Sequence, residues 1–235
     1  MLEFNKIYNM DCIEGMKLLD DNSIDCVITS PPYNLNDKRY YKEYQDNLSS
    51  EQYVEWLNKI SKELFRIMKK EGNILFNISY NNNSKYEYIK IVNNFINNGF
   101  KLCETIVWLK KGMPLTEINN LTRDCEFIFL FSKTDKYFTN QKKNQIISNV
   151  IKISNSNVQT QINSACFPKE LISKLLKYFT KENDIVLDCF MGTGTTAVSC
   201  KEQKRNFIGF EIDEAQIIIS QKRLNFIPEK LEKWF

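Results

Sequence analysis

No histidine occurs among the 235 residues. Its absence removes the commonest general base near neutrality and the commonest metal ligand, so any chemistry here runs without an imidazole. Also missing is any apolar run near the roughly 18–20 residues that a membrane-spanning helix needs. The opening segment Met1-Leu2-Glu3-Phe4-Asn5-Lys6 has no apolar stretch of the kind a secretory signal carries. These absences predict a cytoplasmic protein with no membrane partner. The seven cysteines, at 12, 26, 103, 125, 166, 189 and 200, are odd in number, scattered and without a C-x-x-C pair. That pattern speaks against a disulfide framework and against structural zinc, so buried reduced thiols are expected and no metal.

What is present is ordinary in bulk, with 43% hydrophobic and 26% charged residues. The length fits one generous domain over residues 1–235. A net charge of +3 permits nucleic-acid binding without pointing to it. Short β-branched or aromatic runs alternate with amphipathic stretches, which predicts an α/β sheet. The expected strands are Lys6–Asn9, Asp25–Thr29, Asn73–Ile78, Glu104–Leu109, Glu126–Phe131, Ile185–Asp188 and Phe207–Glu211. The clearest helix runs from Glu51 to Lys69, with Ser49 and Gln52 as a capping box and Gly72 as its stop. Others cover Ser84–Asn97 and Lys169–Phe179, and two more follow Gly194 and Asp213. Glu104–Leu109 and Glu126–Phe131 lack a helix between them and read as a hairpin-like pair at one sheet edge. Residues from about Thr134 to Phe167 have the least periodicity and read as an insertion.

Ile185 to Ala197 reads as strand, glycine turn and helix start, with Asp188 just before the turn. Gly192-x-Gly194-x-x-Ala197 also satisfies the dinucleotide fingerprint. A turn that binds nothing would look the same. Asp188 weighs against a pyrophosphate, because a fixed carboxylate repels it. S-adenosylmethionine carries a sulfonium and an ammonium, which a carboxylate attracts. Glu211, at the end of the next strand, is placed to meet ribose hydroxyls.

Ser30-Pro31-Pro32-Tyr33 follows the strand that ends at Thr29. Open α/β sheets bind ligands at that end. The prolines fix φ and remove backbone donors, so carbonyl oxygens stand rigidly presented. In isolation a stiff loop with a packed tyrosine explains the segment equally well. The functional reading is methyl transfer to an exocyclic amine, whose lone pair is delocalised into the base. Hydrogen bonds from the amine to a serine oxygen and a proline carbonyl favour a pyramidal nitrogen with its lone pair freed. Tyr33 would stack on a base rotated out of the duplex, a task that needs its ring more than its hydroxyl.

Together these motifs resemble the S-adenosylmethionine-dependent amino-methyltransferases of DNA, of the bacterial restriction-modification type. Ser30-Pro31-Pro32-Tyr33 is similar to their catalytic motif. Asp188-Cys189-Phe190-Met191-Gly192-Thr193-Gly194-Thr195-Thr196 is similar to their cofactor motif. The catalytic motif comes first, which is the order of the β group. The resemblance implies S-adenosylmethionine contacts at Asp11, Phe167, Asp188, Phe190, Gly192, Gly194, Thr195, Thr196 and Glu211. It also implies a Rossmann-like fold: a seven-stranded, mostly parallel sheet with one antiparallel edge strand, circularly permuted so that Lys6–Asn9 pairs with the C-terminal half. Four positions depart from the pattern. Cys189 replaces a usual proline, Thr193 a common serine, Asn163 a frequent histidine and Gln216 a frequent tyrosine. No cysteine follows a proline, which excludes the nucleophile used to methylate carbon 5 of cytosine.

Serine before Pro-Pro-Tyr is more typical of the cytosine-N4 enzymes of this family, and aspartate of the adenine-N6 enzymes, so N4 of cytosine is the favoured target and N6 of adenine the alternative. Protein-glutamine or RNA methylation fits less well, since those relatives place the cofactor motif first. A non-catalytic DNA-binding subunit would be free to lose Ser30, Tyr33 and Asp188. Double-stranded DNA is the expected partner, read through residues 134–165. There Lys142 and Lys143 would meet phosphates, and Lys38, Arg39 and Lys42 would do so beside the catalytic loop. So short a recognition region suggests a short site, or help from a second copy or a partner methyltransferase or restriction subunit. The resemblance places such a protein at the bacterial nucleoid.

Overall fold

The computed structural model describes residues 2–34, 47–80, 85–110, 124–141, 147–153 and 166–226. In chain order the elements are β1 (Lys6–Asn9), α1 (Cys12–Lys17), β2 (Ile24–Thr29), α2 (Ser50–Ile67), β3 (Met68–Ile78) and α3 (Glu87–Asn97). They continue with β4 (Lys101–Leu109), β5 (Cys125–Ser132), β6 (Val150–Lys152), α4 (Lys169–Phe179), β7 (Ile185–Asp188), α5 (Thr195–Glu202), β8 (Asn206–Glu211) and α6 (Glu214–Asn225). One eight-stranded sheet results, in the order β1-β8-β7-β2-β3-β5-β4-β6. β5 pairs antiparallel with both β3 and β4, while every other pairing is parallel. β1 lies in register beside β8, as the permuted order requires.

The sheet therefore has one strand more than expected, and its antiparallel strand is internal. The extra strand is Val150–Lys152, which pairs parallel with Val107–Leu109 and covers that edge, while β5 is internal because β4 lies outside it. These residues fall in the stretch read as an insertion, so three residues of it join the sheet. Asn140 ties the preceding residues down by donating to the Lys177 and Thr180 carbonyls.

Side chains alternate between two cores, as strands covered on both faces demand. Val27, Ile74, Phe76, Phe129, Phe131, Leu187 and Phe210 pack under α1, α2 and α3 with Met16, Leu57, Leu64 and Phe95. Their neighbours Cys26, Ile28, Leu75, Ile128, Leu130 and Val186 pack with Leu171, Leu175 and Ala197 of α4 and α5. Among the described residues no helix is long and apolar enough to cross a membrane. All seven cysteines are free, and Cys12, Cys26, Cys189 and Cys200 are buried.

α2 starts where the sequence predicts, since the reciprocal Ser49–Gln52 capping box is present. It ends earlier than predicted, at Ile67, and Met68 turns extended without a loop. Ser23 N–H takes the Ile67 carbonyl at 2.8 Å, and Met68 pairs with Ile24 of β2. Sheet pairing thus overrides the good helix propensity of Met68-Lys69-Lys70-Glu71. Gly72 lies inside β3, where a Cβ would come within 2.9 Å of the Asp25 carbonyl.

Candidate active site

Strands β2 and β7 are parallel neighbours at the middle of the sheet. From them the chain winds outward in opposite directions, through α2 to β3 and through α5 to β8. Such a switch point leaves a crevice outside the carboxyl ends of the strands. Thr29 Oγ1 donates to Asp188 Oδ1 at 2.7 Å across this seam, joining residues 159 apart in the chain.

Asp188 is only 3% exposed, and its oxygens are already engaged. Besides Thr29, the Phe190 N–H donates to Oδ1 at 3.1 Å and the Thr196 hydroxyl to Oδ2 at 2.7 Å. The sequence suggested direct attraction of a cationic ligand. The structure instead has Asp188 shaping the turn from beneath, its charge acting through space. Burial pushes its pKa up, against the pull of those three hydrogen bonds. Gly192 has φ +54 and donates its N–H to Glu211 Oε2 at 2.7 Å. Glu211 takes the Asp213 N–H on its other oxygen at 2.9 Å. Burial raises its pKa as well, opposed by the N–H groups of Asp213, Gly192 and Ile212. Each carboxylate oxygen has a second lone pair, so Glu211 retains capacity for further donors. Arg223 of α6 holds the turn from behind, donating to the Thr193 carbonyl at 2.6 Å and to Thr195 Oγ1 at 3.2 Å.

The second loop is just as constrained. Pro31 and Pro32 are buried and Ser30 is half-buried. The Tyr53 hydroxyl of α2 donates to the Pro32 carbonyl at 2.8 Å. Asn34 and Leu48 exchange two hydrogen bonds, of 2.8 and 2.9 Å, beside the loop. Tyr33 gives its hydroxyl hydrogen to Glu126 Oε2 at 3.1 Å and accepts from Asn77 Nδ2 at 2.7 Å. Asn77 Nδ2 also reaches Glu126 Oε2 at 2.7 Å and Ser30 Oγ at 3.4 Å. Lys110 completes the cluster as the ion-pair partner of Glu126. Burial, and then the Glu126 charge, push the Tyr33 phenol pKa well up.

A single cavity of about 420 Å³ joins the two loops. Ser30, Pro31, Pro32 and Tyr33 line it, together with Asp11, Phe167, Asp188, Phe190, Gly192, Thr195, Thr196 and Glu211. Asp11 also caps α1 through the N–H groups of Ile13 and Glu14. Gly194 is not on the wall; with φ +81 it caps α5, and a Cβ there would lie 2.6 Å from Ser220 Cβ. Its role in the structure is close packing of α5 on α6. Lys38, Arg39, Lys42, Lys142 and Lys143 lie outside the described residues, as does Asn163. The wall also holds residues that sequence reasoning missed, among them Asn77, Trp108, Lys110 and Glu126. Their signal is weak, a polar residue at each end of an apolar strand, and only strand register collects them. Trp108 faces Glu126 directly across β4 and β5, and Asn77 is diagonal to Glu126 across β3 and β5.

Residues 24–222 match the N6/N4 DNA methylase family. The chain belongs to this family of DNA methylases. It is 27% identical to the type II methyltransferase M.BglII of Bacillus subtilis over 259 residues, covering 96% of this chain and 70% of the relative. M.MwoI of Methanothermobacter wolfeii is 29% identical over 96% of this chain, which spans 34% of that longer protein. Among solved structures, the M1.HpyAVI–SAM complex superposes with a TM-score of 0.73 at 27% identity, over 94% of this chain and 98% of the other. The fold is shared with the cytosine-N4-specific PvuII methyltransferase, at TM-score 0.80 and 23% identity, over 96% of this chain and 87% of that one. The methylase is thus an S-adenosylmethionine-dependent enzyme acting on DNA, of the class that modifies N4 of cytosine or N6 of adenine.

The cavity suits that cofactor chemically. Asp11, Asp188 and Glu211 gather at one end, and among the described residues the only cation on the wall is Lys110, paired with Glu126 at the other end. A cationic ligand fits that acidic end and a pyrophosphate does not.

Proposed function

We propose that this methylase modifies the N4 amine of cytosine in duplex DNA, with the target base rotated out of the helix into the cavity. The observation that supports the reading is Ser30. It is a neutral hydroxyl at the end of β2, on the wall that also carries Asp188 and Glu211. In the family resemblance a serine at this position is more typical of the cytosine-N4 enzymes.

S-adenosylmethionine, when bound, supplies a methyl group on a positively charged sulfur. Asp11, Phe167, Phe190, Gly192, Thr195, Thr196 and Glu211 would hold it, with Asp188 fixing the turn. Ser30 Oγ and a proline carbonyl would accept the two amine hydrogens and turn the nitrogen lone pair outward. Pro31 is the better source, since Tyr53 already occupies the Pro32 carbonyl. Tyr33 would stack on the ring of the extruded base. Positioning and electrostatics carry the reaction, so the lack of histidine costs nothing.

The test is to incubate the protein with duplex DNA and labelled cofactor, then digest to nucleosides. Label in N4-methylcytosine is expected. Label in N6-methyladenine overturns the choice of base, and label in neither overturns the reading as a whole.

A further inference from the structure

We propose that Gln216 is a cofactor-binding residue: its side-chain amide donates a hydrogen bond to a ribose hydroxyl of S-adenosylmethionine. The inference rests on the reading that Glu211 receives the ribose hydroxyl hydrogens.

Gln216 lies in the first turn of α6, behind the N-cap Asp213. Its backbone N–H serves the cap and reaches Asp213 Oδ1 at 3.4 Å. The side chain has no such use. Gln216 is only 7% exposed, yet it stands on the cavity wall. Among the described residues its amide meets no hydrogen-bond partner, and neither amide atom is sealed off from the cavity. Burying an amide without a partner is unfavourable, and buried polar groups are nearly always paired. A polar group of a ligand in the cavity would satisfy it.

Two distances say which group. Gln216 Oε1 stands 3.3 Å from the point where a side chain on Gly192 would begin. The Gly192 N–H donates to Glu211 Oε2 at 2.7 Å. Gln216 and Glu211 therefore converge on the same residue of the turn, and glycine keeps that corner open.

The two groups are also chemically complementary. Glu211, as a carboxylate, only accepts. One of its oxygens takes the Gly192 N–H and the other the Asp213 N–H, which leaves a lone pair on each. A vicinal diol brings two hydroxyl hydrogens, one for each oxygen. Once both are given to Glu211, the diol oxygens show only lone pairs and need a donor. Asp11 and Asp188, the other acids at this end of the cavity, cannot donate as carboxylates. The Gln216 amide carries two hydrogens that no described residue accepts, and one is enough for this contact.

The test is calorimetric titration of the wild type and of Gln216→Met with S-adenosylhomocysteine, the demethylated cofactor, and with its 2′-deoxy and 3′-deoxy derivatives. Methionine keeps the length of the side chain and removes both polar atoms. For the parent compound Kd should rise roughly three- to tenfold. The free variant should melt no lower than the wild type, because an unpartnered buried amide has gone. With one of the two deoxy derivatives the difference between the proteins should shrink to within about twofold. The inference is overturned if Gln216→Met binds the parent compound within about twofold of the wild type. It is equally overturned if the full loss persists with both derivatives, since the amide then acts on no ribose hydroxyl. Should the wild type bind both deoxy derivatives as tightly as the parent, the ribose reading of Glu211 fails first and this inference with it. If Gln216→Met does not fold by circular dichroism, Gln216→Leu is judged by the same titrations.

Discussion

At the scale of single residues, the proposed mechanism asks two things of the Tyr33 side chain. Stacking alone would make Tyr33→Phe far milder than Tyr33→Ala, as the sequence suggests. The hydroxyl, however, donates to a partly buried carboxylate and accepts from Asn77. A hydrogen bond to a charged group contributes roughly 1.5–3 kcal/mol. Tyr33→Phe should therefore lower kcat by about tenfold or more, and Tyr33→Ala by a larger factor because the ring goes too. Steady-state kinetics on both variants checks the order, and a Phe variant with wild-type kcat would leave the hydroxyl without a role. The motif residues were legible because Ser-Pro-Pro-Tyr and Asp-x-x-x-Gly-x-Gly are contiguous. Asn77, Lys110 and Glu126 were not, because they meet through the register of three strands and share no local pattern.

Among the elements, several read true to the residue and two were missed. β1, β7 and α4 carry the boundaries that the sequence predicts. β6 has three residues, too few to show alternation, and α1 has six, behind a capping Asp11 whose family resemblance drew attention to the cofactor instead. The α2–β3 junction was missed because pairing with β2 decides it. The packing of α5 on α6 offers a test at this scale. Gly194→Ala combines φ +81 with a Cβ 2.6 Å from Ser220 Cβ. It should destabilise the fold by about 1–3 kcal/mol, measured by urea unfolding. The double variant with Ser220→Gly should recover the steric part and leave the conformational part. No recovery would mean that strain, rather than contact, dominates.

For the molecule as a whole, the sheet order puts a buried carboxylate at its centre, and stability answers to pH through it. The folded pKa of Asp188 is raised by burial. Its contribution to stability is therefore present below the unfolded value and lost as pH rises through the folded one. Asp188→Asn keeps the acceptor for Thr29 and Phe190, and the Thr196 hydroxyl can reverse to accept from the new amide. The variant should match the wild type in urea midpoint near pH 3 and exceed it progressively above about pH 4. Its affinity for S-adenosylmethionine, read by calorimetry, should fall at neutral pH as the negative charge is lost. A variant that is less stable at every pH would show that the hydrogen bonds, not the charge, dominate at this site.

The bond between Thr29 and Asp188 has a consequence for ancestry as well as for chemistry. It joins two segments that are neighbours in the sheet and far apart in the chain, while β1 rests in register on β8. Nothing in the cleft depends on which segment is translated first. Two genes that encode these segments in opposite order can build one and the same cleft. Motif order then records how a lineage was cut and rejoined, and strand order records what it does.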